Sequence, residues 1–143
     1  MSNKPRKIAV VVTARATFSR IRTALHAIKD HPDLELKLIL AASVLLDRFG
    51  SAAELIEQDG FTIAAKVFNV LEGSTPTLMA KSTGIGIVEL ATALDQVAPD
   101  MVVTVADRYE TMATALAASY MNIPLAHVQG GEVTGSIDEK VRH

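Results

Sequence analysis

The stretch KIAVVVTARATFSRIRTALHAIKDHPDLELKLILAA, residues 7–42, decides the fold. An unbroken apolar run from Ile8 to Val12 opens it, and a second from Leu38 to Ala42 closes it. Neither run alternates apolar with polar residues as a strand with one wet face would. Both read as strands buried on both faces. Between them Phe18, Ile21, Leu25 and Ile28 recur at the helical period and share one face. The DHPD turn, residues 30–33, then returns helix to strand. Two buried strands joined by an amphipathic helix make a parallel pair with a right-handed crossover.

The same alternation continues to the end of the chain. Strands are expected over Lys7–Thr13, Leu36–Ala42, Thr62–Val70, Met101–Val105 and Pro124–Val128. Leu45, Phe49, Ala52 and Ile56 share a second helical face, and Ile87, Leu90, Leu94 and Val97 a third. A fourth helix is expected over DRYETMATALAASYM, residues 107–121, whose small residues suit close packing on a sheet. Strict β-α alternation implies an α/β fold, a Rossmann-like doubly wound parallel sheet formed by residues 1–143 as one domain. No internal repeat, low-complexity tract or interdomain linker interrupts it.

Composition agrees and narrows the function. The 143 residues are 49% hydrophobic and 21% charged, as in an ordinary globular domain. A net charge of −2 argues against a general nucleic-acid binder. The charge is uneven, with nine Lys/Arg against four Asp/Glu through Arg48 and five against twelve afterwards. Cations and carboxylates are thereby available to surround one anionic ligand, although solvated faces account for most such charges. There is no cysteine, which excludes disulfides and thiolate-bound zinc and fits a cytoplasmic location. The four histidines show no metal spacing, and no metal or other cofactor is expected. NKPRKIAVVVTARA, residues 3–16, has the outline of a signal peptide, but its apolar run is short and a buried first strand explains it equally well. No stretch approaches membrane-spanning length.

Open α/β sheets bind ligands beyond the carboxyl ends of their strands. The segment just after each strand candidate is therefore the place to look. TARATFSR comes after the first, ASVLLD after the second, LEGSTPT after the third, ADRYE after the fourth and QGGEVTGSIDE after the fifth. Arg15, Ser19, Glu72, Asp107, Arg108, Gln129, Glu132 and Asp138 all fall on this one rim. Arg15 near a helix start opposes the helix dipole, which an anionic ligand would offset. Asp107 has a local alternative, capping the fourth helix with Glu110 as an approximate capping box, and capping is compatible with catalysis. Gly130–Gly131 form either a plain turn or a close backbone approach to a ligand. Asp138 and Arg142 stand four apart, as do Glu139 and His143, so each pair also reads as a surface ion pair on a helix. Gly84 and Gly86 lie inside a helical pattern and lack the rest of a dinucleotide fingerprint. His26 and His31 read as surface residues, and His127 as a satisfied core histidine.

The closing run HVQGGEVTGSIDEKVRH, residues 127–143, read with ADRYE and with VTARATFSRI at residues 12–21, resembles the UDP-N-acetylglucosamine 2-epimerase family. The hydrolysing branch, associated with sialic-acid-type sugars, is the nearest match in pattern. ASVLLDRFGSAAELIEQDGF (42–61) and AKSTGIG (80–86) extend the resemblance over nearly the whole chain. It implies the N-terminal half of a glycosyltransferase-B-like two-domain architecture, the second domain lying outside these residues and the substrate between the halves. It also implies anti elimination of UDP across C1–C2 to a 2-acetamidoglucal. Water then adds and releases N-acetylmannosamine, or, in the non-hydrolysing branch, the nucleotide returns.

By resemblance, Asp107, Asp138, Gln129 and Glu132 make up the catalytic set, Glu132 as a sugar-site residue. Arg15, Ser19, Arg108, Arg142 and His143 contact the substrate, with Arg142 holding the site together. The partner is a UDP-sugar; no nucleic acid or membrane is implied, and a homo-oligomer is expected. Two positions depart from the pattern. Gln129 stands where many members carry glutamate, and Val44 where many carry histidine. Gln129 cannot serve as a base, so Glu132 or Asp138 is expected to carry its proton. Two other readings stay open: a non-catalytic sugar-nucleotide- or partner-binding domain, and half of a glycosyltransferase.

Overall fold

Val, Ile and Leu crowd the three central strands, whose inner residues are covered on both faces, while the two edge strands are only partly covered. A computed structural model describes residues 4–46, 52–73, 75–136 and 138–143. Strand β1 (Arg6–Val12) is followed by helix α1 (Arg15–Asp30), β2 (Leu34–Ala41), a 3₁₀ turn (Ala42–Leu45) and α2 (Ala52–Gln58). Then come β3 (Ile63–Val67), α3 (Pro76–Val97), β4 (Met101–Val105), α4 (Tyr109–Tyr120), β5 (Leu125–Val128) and the short α5 (Glu139–Arg142). All strand pairs are parallel, in the order β3-β2-β1-β4-β5, with Val10 opposite Leu38 and Val103 opposite Ala126.

The expected doubly wound α/β sheet is what forms. Along β1, Ala9 and Val11 enter one core layer with Ile39, Leu90, Leu94 and Ala117. Val10 and Val12 enter the other with Ile21, Leu25, Leu40 and Ile56. Helices α3 and α4 therefore cover one face, and α1 and α2 the other. Ile39 and Leu40 are both 0% exposed, on opposite faces; each contributes about 1.5–3 kcal/mol of apolar burial.

Several boundaries differ from expectation for physical reasons. Strand β3 stops at Val67, not Val70, because the chain leaves the sheet edge there: Phe68 is 69% exposed and Asn69 turns inward. The Asn69 side chain accepts the Ala42 N–H at 2.9 Å. In the second helix Ala52 and Ile56 are buried as expected, Leu45 belongs instead to the 3₁₀ turn, and Phe49 lies outside the described residues. Helix α3 starts at Pro76, with Thr75 Oγ1 accepting the Leu78 N–H at 3.3 Å. Gly86 has a packing role. A Cβ there would stand 2.8 Å from Asn69 Nδ2 and 3.0 Å from Ala113 Cβ.

The chain runs outward from β1 to β2 and β3, then crosses to β4 and β5 on the other side. The sheet's switch point thus lies between the ends of β1 and β4, where open sheets present their ligand crevice.

Candidate functional site at the strand ends

Three strands end in a residue that is not glycine yet adopts the left-handed conformation: Ala42 (φ 57°), Ala106 (φ 74°) and Gln129 (φ 67°). Each costs about 1–2 kcal/mol, and two are visibly held. Ala42 is fixed by Asn69, while Ala106 donates its N–H to Val128 O at 3.0 Å and its carbonyl lies 2.6 Å from His127 Nε2. Each left-handed residue ends its strand and redirects the chain at the sheet's carboxyl edge. His127 is the satisfied histidine expected, and it braces the turn that aims Asp107.

A cavity of about 700 Å³ opens beyond β1, β2 and β4, lined by Arg15, Val44, Glu72, Arg108 and Tyr109 among others. Val44 is 3% exposed and presents a hydrocarbon wall. The turn carrying it is tied to β1 by Ser43 Oγ, which donates to Thr13 O at 2.9 Å, and by Val44 N–H to the same oxygen at 3.2 Å. Helix α1 begins at this cavity with no side-chain cap and no acid in its first turn. Its free N–H groups and the Arg15 side chain make an edge suited to an anion. Ser19 donates its hydroxyl to Arg15 O at 3.2 Å. It lines a second cavity of about 380 Å³ between α1 and α2, which shares Arg15 with the first.

Beside the larger cavity lies a knot of charge tied by Arg142. Its Nε donates to Asp107 Oδ2 at 3.0 Å and its Nη2 pairs with the same oxygen. Its Nη1 donates to Glu132 Oε2 at 2.5 Å and to the Gln129 carbonyl at 3.0 Å. The Arg142 side chain is 6% exposed, against 21% for Asp107 and 53% for Glu132. The Asp107 hydrogen bond is the main cause that binds the guanidinium proton more tightly than in a free arginine. The arginine four residues after Asp138 therefore does not pair with it. Asp138 starts α5 without a side-chain capping bond.

Other local readings are corrected too. Asp107 does not cap α4: Arg108 is the N-cap residue and makes no side-chain cap bond. Glu110 does not complete a capping box; it is 1% exposed, and its carboxylate lies 3.3 Å from Arg108 Nε. Burial pushes its carboxyl above the ordinary glutamate range; Arg108, its own backbone N–H and Tyr109 oppose this, and Asp138 adds to it. Glu139 does not pair with His143 but accepts the Gly135 and Thr134 N–H groups at 2.6 and 3.3 Å. His143 is exposed and lines a separate shallow cavity with Gly135, Ser136, Glu139 and Lys140. The turn needs both glycines: a Cβ on Gly130 would stand 2.9 Å from His127 Nδ1, and Gly131 has φ 74°.

Asp107, Gln129, Glu132 and Arg142 are thus brought together, with Asp138 on the same segment and Arg15 and Arg108 at the adjoining cavity. Sequence reading missed Arg20, whose Nη1 donates to Gln129 Oε1 at 3.1 Å. It also missed Tyr109 and the burial of Glu110. A carboxylate in the first turn after a strand end was the available signal for Glu110. Among the described residues no cluster of His, Cys, Asp and Glu fits a metal ion, and no helix is long and apolar enough to cross a membrane.

The sequence pattern of the UDP-N-acetylglucosamine 2-epimerase family matches residues 26–143. Among curated proteins, the GDP/UDP-N,N'-diacetylbacillosamine 2-epimerase (hydrolyzing) of Campylobacter jejuni is 35% identical over 139 residues, covering 96% of this chain and 36% of that protein. The UDP-N,N'-diacetylbacillosamine 2-epimerase (hydrolyzing) of Legionella pneumophila is 32% identical over 138 residues, covering 96% and 37%. The chain therefore spans little more than a third of the length of these relatives. The fold matches the crystal structure of UDP-GlcNAc 2-epimerase from Neisseria meningitidis bound to UDP-GlcNAc with a TM-score of 0.78 at 20% identity, over 95% of this chain and 37% of that one.

Proposed function

This chain belongs to the UDP-N-acetylglucosamine 2-epimerase family, and on that premise we propose that it forms the N-terminal wall of a hydrolysing UDP-sugar 2-epimerase. The observation that carries the reading is the Arg142 knot, which gathers Asp107, Glu132 and the Gln129 backbone beside a cavity edged by Arg15 and Arg108. The names of the Campylobacter and Legionella relatives support the hydrolysing outcome and a UDP-linked 2-acetamido sugar as substrate.

In the proposed reaction a base takes the C2 proton, the C1–O bond breaks, and UDP leaves with the electron pair. Water then returns a proton to the other face of C2 and a hydroxyl to C1. A positioned carboxylate serves each proton transfer, and a second stabilises the oxocarbenium-like charge at C1. We assign the proton transfers to Asp107 and to Asp138 or Glu132. Gln129 holds substrate by hydrogen bonds alone. Arginines suit the anionic diphosphate; in the proposed binding set Arg15, Ser19 and Arg108 meet the nucleotide, Arg142 holds the site together, and His143 adds to the set from its neighbouring cavity. No cofactor is required by this chemistry. Assembly as a homo-oligomer in the cytoplasm belongs to the same reading; the exposed Ile85 and Val88 on α3 offer an apolar face for it.

These 143 residues are expected to hold one wall of the cleft only. By themselves they should bind UDP at roughly millimolar affinity, about −4 kcal/mol, without turnover, because an open shelf lacks preorganised charge. The test extends the chain to the full length of its relatives and supplies UDP-N-acetylglucosamine with no acceptor sugar. Release of UDP together with the free 2-epimer is expected. Binding without release, or release only when an acceptor sugar is added, would overturn the proposal in favour of a binding domain or a sugar transferase.

A further inference from the structure

Glu110 is the one charged residue among the described residues that the core swallows. Its side chain is 1% exposed and neither carboxylate oxygen has a hydrogen-bond partner. Stability alone does not explain such a group. A carboxylate in the first turn of a helix gains from the dipole, but an exposed one gains as much, while burial with a single ionic neighbour costs more than the dipole returns. The feature it serves stands next to it. Arg108 Nε lies 3.3 Å from Glu110 Oε2, while half of the Arg108 side chain stays exposed at the mouth of the larger cavity. The Arg108 guanidinium carbon also lies 5.6 Å from the centre of the Tyr109 ring, which lines the same cavity. One edge of the guanidinium is thus paired from beneath, while the side chain still lines the cavity. An N-cap arginine without that anchor would keep its rotamer freedom and lose it only on binding.

We propose that Glu110 is a positioning residue, a buried counter-ion that aims Arg108 into the cavity so that an anionic ligand meets a guanidinium already in place. The assignment rests on the reading of that cavity as the seat of a nucleotide sugar, and it adds a specific division of labour. Arg108 touches the ligand; Glu110 never does. Its effect on binding must therefore vanish once Arg108 is gone.

The experiment titrates UDP into the 143-residue chain, followed by NMR, with melting temperatures measured on the same samples. Glu110→Gln keeps the shape and removes the charge. It should weaken UDP binding about tenfold, the scale of one lost charge-assisted contact, while the protein melts no lower than wild type. The Arg108 side-chain signals, held by the ion pair in the wild type, should shift toward those of a free arginine. Arg108→Ala should weaken binding to a similar degree, and the double variant should be no worse than either single one. A Glu110→Gln protein that melts lower yet binds UDP normally would overturn the proposal, as would losses that multiply in the double variant. A wild-type chain that does not bind UDP at all would sink the nucleotide reading itself and the proposal with it, an outcome distinct from those two.

Discussion

Arg142 and Arg15 stand on the same rim and commit their charge differently. Arg142 is almost covered, and its guanidinium is divided among Asp107, Glu132 and the Gln129 carbonyl. Arg15 is exposed in the first turn of a helix that has neither a side-chain cap nor an early acid. One region of the rim is complete within the protein; the other is complete only when something negative arrives. An ion pair satisfied internally orients its carboxylates, whereas an open cation beside free helix N–H groups is a binding surface. The knot should accordingly govern the chemical step and the cavity edge the affinity.

The sharpest test of that division, and the largest expected effect, is Asp107→Asn in a chain extended to the relatives' length. It removes the acid and keeps the shape. Turnover, followed as UDP release, should fall at least about a hundredfold, with UDP affinity nearly unchanged. An affinity loss with normal turnover would exchange the roles of the two regions. Arg15→Ala should produce the reverse pattern, a rise in KM of about tenfold with kcat retained, as expected when binding common to ground and transition states is removed. A fall in kcat without a change in KM would move Arg15 into the knot's role.

The smallest effect concerns the group between the two regions. Burial raises the Glu110 carboxyl above the ordinary value of 4.5, so the folded chain holds that proton more tightly than the unfolded chain. Its contribution to stability is full below that value and is lost as pH rises through the raised one. Between pH 4 and 8 the wild type should therefore lose melting temperature relative to Glu110→Gln, by about 4 °C or less. A constant difference over that range would show that the carboxyl is not buried as described.

The architecture was legible because it is written in local terms. Runs such as Ile8–Val12 and Leu38–Ala42 read as doubly buried strands, and Ala9 and Val10 do enter opposite core layers. Membership of the rim was equally legible, since the residues just past a strand end are known as soon as the strand is. The failures occur where a distant partner decides. Asp107 in front of a helix looks like a cap, but Arg142, 35 positions away, takes its carboxylate. Asp138 and Arg142 look like an i, i+4 pair until that same contact claims the arginine. Strand β3 ends before its apolar run does, because Asn69 turns inward to a backbone group 27 residues earlier. Helical spacing also gave no sign that Arg20 would reach Gln129 across 109 positions.

The segment from Gln129 to Arg142 is closed into a ring without a covalent bond. Arg142 reaches the Gln129 carbonyl with its side chain, and its own carbonyl accepts the Gly131 N–H at 2.9 Å. Glu139 ties the far side through Thr134 and Gly135. Chain entropy is thereby removed before any ligand arrives, as a crosslink would remove it. Glu132 and Asp138, both within the ring, are carried as one piece. Such a clasp is reversible, and a protease reports its state: cleavage within residues 132–136 should be slow while Arg142 holds and rapid when the clasp is open. The Arg142 side chain is thus the latch of the segment, and Glu132 hangs directly from it.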